Sequence, residues 1–141
     1  MDNNINVLDE LNKGCSMGMV ALDYIIKSDE NEFNKLLTNQ YKEYEDLSNR
    51  INELYDEYTS DKIHETSFIE KAMTWYGIQK DTIMNNSISK IAELLINGTN
   101  MGIIEGRKLI NNKKMDKDIH KLCSEYIKMQ EKYLEKLKEF L

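Results

Sequence analysis

The 141-residue sequence contains no proline, and it has only two cysteines, two histidines and one tryptophan. A domain of this size rich in strands or loops would normally carry several prolines, because average usage is about 5%. Their absence favours long, uninterrupted helices. Two cysteines, Cys15 and Cys123, are too few for a disulfide scaffold, and we expect them to pack as small apolar side chains. No signal-peptide pattern opens the chain, so we expect a cytoplasmic protein.

The sequence also lacks a basic excess and an apolar run of membrane-spanning length. Its net charge of -6 is spread along the chain. Non-specific nucleic-acid binding requires clustered cations, so we expect no nucleic-acid partner. Asp23 and Lys27 interrupt the best apolar stretch, so we expect no membrane partner either. A chain of 141 residues is long enough for one domain with its own core, and we predict a single domain over residues 1–141.

Hydrophobic spacing gives the strongest fold signal. From Phe33 to Tyr58 a heptad seam advances by alternating steps of four and three, and Gln40 is its one polar member. The seam consists of Phe33, Leu37, Gln40, Tyr44, Leu47, Ile51, Leu54 and Tyr58. Similar spacing predicts further helices over residues 5–27, 82–111 and 118–141. The last of these carries apolar residues at Ile119, Leu122, Tyr126, Met129, Tyr133, Leu137 and Phe140.

The boundaries of these helices follow from capping residues and turns. Asp29 with Glu32 predicts the N-terminus of the second helix, and Ser67 with Glu70 forms a capping-box pattern in the connection that follows it. A helix running from there to Asn111 would be about twice as long as the first helix. We therefore predict a break between residues 77 and 81.

A glycine motif occurs twice. Gly14-Cys-Ser-Met-Gly18 in the first helix recurs as Gly98-Thr-Asn-Met-Gly102 in the third, and apolar pairs continue the match. The repeat predicts two helical hairpins, helices 1–2 and helices 3–4. Together with Gly106, the motif glycines lie along one face of each helix, at spacings of four.

A glycine inside a helix costs about 1 kcal/mol relative to alanine, so a row of them requires a structural or functional reason. The first interpretation is structural: helices 1 and 3 cross glycine to glycine, related by a pseudo-two-fold axis. The second interpretation is functional: the glycines leave space for a ligand.

The repeated Gly-x-x-Met-Gly and the segment Ser87-Ile-Ser-Lys-Ile-Ala-Glu-Leu-Leu-Ile-Asn-Gly98 resemble small bacterial helical-bundle proteins, mostly from Gram-positive species. The resemblance implies an all-α, ferritin-like four-helix bundle of two hairpins, with a long and partly helical connection between helices 2 and 3. A simple up-down bundle without ferritin kinship is the alternative.

Di-iron ferritin-like proteins carry Glu-x-x-His motifs, and this chain has none. Lys117 precedes His120 by three residues, Asp61 precedes His64 by three, and residues 12–21 contain no acid. We therefore expect no metal site, no cofactor and no catalytic residues. Asp116 and His120 lie one turn apart, but a capping Asp116 beside an exposed His120 is the simpler interpretation.

Two hypotheses about function follow. The first is a non-enzymatic bundle that acts through protein–protein contacts, as a homo-oligomer or accessory subunit, with Trp75 and Tyr76 as candidate contacts. The alternative is a degenerate ferritin-like protein that binds a metal or small ligand between its helices. Its candidate ligand residues are Glu93, Glu105, Glu125 and His120. Converging acids or a cavity at the glycines would favour the ligand binder, whereas an apolar centre and an exposed apolar patch would favour the interaction module.

Overall fold

The computed structural model describes residues 3–26, 30–60 and 87–141. These residues form four α-helices and no strand. The helices are α1 (Asn3–Ile25), α2 (Glu32–Tyr58), α3 (Ile88–Asn112) and α4 (Lys117–Lys138). The prediction of an all-α four-helix bundle is confirmed.

The helices pack as two hairpins, because α1 lies mainly against α2 and α3 mainly against α4. Contacts near Asp116 place three helix ends together. Asn4, at the start of α1, accepts a hydrogen bond from the Asp116 N–H at 2.9 Å, and the hydroxyl of Tyr58, at the end of α2, donates to Asp116 Oδ2 at 2.7 Å. A short turn connects α3 to α4, so α3 ends at the same end of the bundle at which α4 begins. Helix α3 therefore begins at the opposite end. Residues 61–86 therefore join opposite ends of the bundle, which matches the predicted two-hairpin topology.

The predicted seams form the core. On α2 the seam is buried as far as Ile51, but Tyr55 then replaces Leu54 and Tyr58 as the buried residue. A heptad pattern corresponds to 3.5 residues per turn, whereas a straight α-helix has 3.6. The buried face therefore moves around the helix by about 20° with each heptad. On α4 the predicted positions are buried through Leu137, and half-buried Phe140 packs against Phe33 with ring centroids 5.1 Å apart.

Two predicted helix starts are wrong. Helix α2 begins at Glu32, where the side chain of Asn31 caps it by accepting from the Asn34 N–H at 2.7 Å. Asp29 lies outside the described residues, and Asn is as good an N-cap as Asp, so capping preference alone does not separate Asp29 from Asn31. Helix α3 begins at Ile88 rather than near residue 82, because the side chain of Ser87 caps it by accepting from the Lys90 N–H.

Asp116 stands at the N-cap position of α4, but its side chain makes no capping hydrogen bond. Its carboxylate accepts from the Tyr58 hydroxyl instead, and Asp118 accepts from the same hydroxyl at 3.2 Å. The hydrogen bond to Asp116 raises the pKa of Tyr58, with burial and Asp118 adding to the effect. Asp116 thus ties the end of α2 to the start of α4.

Replacing Tyr58 by Phe removes this tie and is expected to lower the free energy of unfolding by about 1 kcal/mol, the usual worth of a hydrogen bond at a partly exposed site. Urea denaturation followed by circular dichroism measures the change. Tyr24→Phe, at an exposed tyrosine of α1, is the matched control and should leave stability unchanged. Equal stability of the two variants would show that the Asp116 contact contributes nothing.

Candidate functional site

A cavity of about 540 Å³ lies between α1 and α3. Both glycine rows line it: Gly14 and Gly18 on α1, and Gly98, Gly102 and Gly106 on α3. Apolar side chains complete its walls, namely Met17, Ala21, Leu22, Leu95, Met101 and Leu109. The cavity is partly open to solvent, which distinguishes it from the small closed voids of a packed interior.

The nearest side chains to four of these glycines belong to α2 and α4. On α1, Gly14 faces the hydroxyl end of Tyr126 and Gly18 faces the ring of Tyr44. A Cβ atom at Gly18 would lie 2.6 Å from that ring, which is closer than real contacts allow. The glycines of α1 therefore make space for two tyrosines.

The glycines of α3 have the same role. Gly102 faces the amide of Gln130, and a Cβ at Gly106 would lie 2.7 Å from Cγ1 of Ile127. This differs from the expected glycine-to-glycine crossing of the first and third helices. Side chains of α2 and α4 fill the glycine positions, and α1 and α3 face each other across the cavity with few direct contacts.

The inner wall of the cavity is polar. The Tyr44 hydroxyl donates to Gln130 Oε1 at 3.1 Å, and Gln40 Nε2 donates to Thr99 Oγ1 at 3.4 Å. Tyr126 lines the same wall and is 3% exposed, and burial raises its pKa well above the usual range, so its hydroxyl stays protonated. We call these five side chains the polar floor: Gln40, Tyr44, Thr99, Tyr126 and Gln130.

Four members of the polar floor occupy equivalent positions in the two hairpins, but Gln and Tyr are exchanged between the hairpins. Tyr44 and Gln130 are 86 residues apart, and the same interval relates Gln40 to Tyr126. Helix α2 thus presents Gln then Tyr one turn later, whereas α4 presents Tyr then Gln. The hairpin repeat therefore extends from the glycine rows to the floor beneath them.

Charged residues stand at the mouth of the cavity. Glu10 and Lys13 of α1 are half-buried, whereas Glu105 of α3 is exposed and forms a 3.5 Å ion pair with Lys108. Lys13 is the one cation among the described residues that line the cavity. The mouth is charged, and the floor carries only amides and hydroxyls.

The acids and histidine named from the sequence do not converge. Glu93 is exposed and pairs with Lys90, whereas Glu125 pairs with Arg50. His120 is exposed. Of these candidates, Glu105 alone lines the cavity. Within the described ranges, no three His, Cys, Asp or Glu side chains lie close enough together to hold a metal ion.

Other candidate residues fall outside the described residues. These are Trp75 and Tyr76, the capping-box pattern at residues 67–70 and the break predicted between residues 77 and 81. The polar floor was not predicted as a site, although one of its residues is unusual in the sequence. Gln40 is the polar member of an otherwise apolar seam, and it is 1% exposed.

Both cysteines are buried free thiols. Burial raises the pKa of Cys15, and it raises the pKa of Cys123 to about 11. Cys123 also donates to the carbonyl oxygen of Gly106 at 3.7 Å. These thiols pack in the core, as the sequence predicts for small apolar side chains.

A family model described as a conserved hypothetical protein matches residues 38–97, which is less than half of the chain. No curated protein and no solved structure matches the chain. In the part of the chain that the structure describes, none of the helices has the length and apolar character needed to cross a membrane.

Gly14→Ala is expected to lower the free energy of unfolding by about 2 kcal/mol, because the new methyl group collides with the buried Tyr126 ring and its hydroxyl. Thermal and urea unfolding measure the loss. In a Tyr126→Phe background the same substitution should cost at least about 0.5 kcal/mol less, since the closest atom is gone. Additive effects of the two substitutions would contradict this packing.

The thiols of the native protein are expected to react slowly with Ellman's reagent at pH 8. With a pKa of about 11, Cys123 is thiolate in about one molecule per thousand at that pH, and burial also blocks access. Because deprotonation activates the thiol, the rate should rise with pH up to about 11. Urea should release both thiols at once, and fast reaction of two thiols in the native protein would contradict the assignment.

Proposed function

We propose that the protein binds a small, mainly apolar molecule in the cavity between α1 and α3. The observation that carries this proposal is the cavity itself: about 540 Å³, walled by glycine rows and apolar side chains above a polar floor. Ligand sites in proteins commonly have this size and composition, with a few polar groups that fix the orientation of the ligand. Amides and hydroxyls position a ligand through hydrogen bonds, so the role we propose is binding and not catalysis.

The glycine rows support this role. Each glycine costs helix stability, and at these positions α1 and α3 contribute no side chain of their own to the cavity wall. Side chains at these positions would narrow the cavity or displace the floor residues behind it. We therefore propose that the motif has two roles: it accommodates side chains of α2 and α4, and beside them it leaves space for a ligand.

N-phenyl-1-naphthylamine tests the proposal, because this uncharged dye becomes fluorescent in apolar surroundings. We expect saturable binding of about one dye per chain. Met17→Trp enlarges a cavity-lining side chain, so the indole ring occupies space that the dye would fill. Because the dye then buries less of its apolar surface, its binding should weaken about tenfold or more. Met19→Trp is the matched control, since Met19 is also a half-buried methionine of α1 but does not line the cavity.

Two results would contradict the proposal: no saturable dye binding by the wild-type protein, or equal weakening by the two tryptophan substitutions. Circular dichroism of each variant shows whether the bundle is intact. Ala21→Phe, at a second cavity-lining position of α1, provides an independent variant if Met17→Trp does not fold.

A second candidate is self-association or binding to a protein partner as an accessory subunit. It is favoured by two exposed apolar side chains of α3, Met101 at 60% and Ile104 at 46% exposure. Met101 also lies at the edge of the cavity. Sedimentation equilibrium tests self-association: a dimer that dissociates in Ile104→Lys would support it, and a monomer at high concentration would oppose it.

We also propose ferritin-like kinship without the di-iron ligands, and a cytoplasmic location. The kinship is supported by the connection between opposite ends of the bundle, which is the topology of that superfamily. The location is supported by two buried thiols that remain unpaired.

A further inference from the structure

The repeated Gly-x-x-Met-Gly motif places a methionine on each wall of the cavity. Met17 of α1 and Met101 of α3 occupy equivalent positions of the repeat, and both line the space between the two helices. A methionine thioether packs as an apolar group, but unlike the side chain of leucine or isoleucine it is readily oxidised. The walls of the proposed binding site therefore carry two sulfur atoms that an oxidant can convert to polar groups.

Met101 is the accessible methionine of this site. It is 60% exposed, whereas Met17 is half-buried. Among the other methionines that the structure describes, Met19 and Met115 are half-buried and Met129 is buried. An oxidant dissolved in water therefore reaches Met101 more easily than any of these four side chains.

The cysteines do not compete for the same oxidant. Cys15 and Cys123 are buried, and burial raises the pKa of both thiols. The thiolate is the form that peroxides attack, so protonated and enclosed thiols react slowly. Within the described part of the chain, Met101 is thus the sulfur-containing side chain most open to a peroxide.

The chemistry is a two-electron oxidation by a hydroperoxide, the class of oxidant that the inference requires. The thioether sulfur attacks one oxygen of hydrogen peroxide, the O–O bond breaks, and that oxygen forms the S=O bond. The other oxygen leaves as water after a proton has moved to it, so the sulfur is oxidised and the peroxide is reduced. Methionine sulfoxide is polar, and sulfoxide reductases convert it back to methionine.

The surroundings of Met101 make a sulfoxide unfavourable under an apolar ligand. A ligand that covers the S=O group removes it from water, which is costly unless a donor replaces the water. The cavity-lining neighbours of Met101 along α3 are Gly98, Gly102 and Glu105. Two glycines and a carboxylate offer no side-chain donor, so the sulfoxide loses its hydrogen bonds when the ligand binds.

We infer that Met101 is a site of reversible oxidation that controls binding in the cavity. The thioether form accepts an apolar ligand, and the sulfoxide form has a lower affinity for it. This inference rests on the proposed function, and it adds a means of regulation to that function. Met17, in the equivalent position but half-buried, is a slower target on the opposite wall.

The order of oxidation is the first measurement. The full chain is treated with hydrogen peroxide, the peroxide is removed with catalase, and proteolytic peptides are analysed by mass spectrometry. Because exposure governs access, we expect Met101 to gain oxygen at least about fivefold faster than buried Met129. Equal rates at the two positions would overturn the assignment of Met101 as the site.

Dye binding then measures the effect of the oxidation. N-phenyl-1-naphthylamine is titrated into protein oxidised at Met101, at a peroxide dose that leaves Met17 unmodified. Its affinity should fall about three- to tenfold, because the dye covers a polar group in place of an apolar one. Methionine sulfoxide reductases A and B, one for each sulfoxide epimer, should restore the affinity. Unchanged affinity after oxidation of Met101 would overturn the inference.

Two substitutions at position 101 separate the polarity of the side chain from its chemistry. Met101→Leu keeps an apolar side chain that peroxide does not oxidise, so its dye affinity should stay close to the wild-type value before and after treatment. Met101→Gln introduces a polar side chain of similar length and should lower the affinity without any peroxide. Equal losses on peroxide treatment in Met101→Leu and in the wild type would contradict the inference.

Met19→Leu is the matched control. Met19 is a half-buried methionine of α1 that does not line the cavity. This variant should lose dye affinity on peroxide treatment as the wild type does. A variant that no longer responds would show that the oxidation acts through Met19 and not through Met101.

The outcomes separate the inference from the proposed function. If the untreated protein binds the dye and Met17→Trp blocks it, but oxidation of Met101 leaves the affinity unchanged, ligand binding stands and the inference is wrong. If the untreated protein binds no dye, the proposed function fails, and control by Met101 fails with it.

Discussion

The contact between Tyr126 and the glycine rows is the constraint on which the rest of the bundle depends. Tyr126 of α4 reaches to Gly14 of α1, and its ring also lies 3.4 Å from where a Cβ of Gly106 would be. A side chain from α4 therefore stands between two helices that carry no side chain at those points. Tyr44 of α2 fills the position at Gly18, so side chains of the second and fourth helices occupy the glycine faces of the first and third.

The helices could be predicted from the sequence because apolar spacing and capping residues are local. The seam from Phe33 to Ile51 and that of α4 follow directly from the repeat of apolar residues. The start of α2 at Glu32 could not be fixed in this way, because Asp29 and Asn31 are both good caps. The choice between these two caps depends on where the preceding turn ends, and the local sequence does not determine that point.

The candidate site was predictable only in part. Spacing places Gly14 and Gly18 on one face of a helix, but it does not say which helix faces them. The neighbours of a glycine depend on long side chains from elsewhere, here Tyr44 and Tyr126. Gln40 was visible as a polar residue in an apolar seam, whereas its hydrogen bond to Thr99 of α3 depends on how the two hairpins pack.

The two-hairpin topology has a kinetic consequence. Each hairpin joins helices that are neighbours along the chain, so its contacts close short loops and form early. Docking one hairpin on the other closes a much longer loop, because residues 61–86 join opposite ends of the bundle. We therefore expect contacts within each hairpin to form faster than contacts between the hairpins. The cavity walls come from different hairpins, so the space between them exists only once the hairpins have docked.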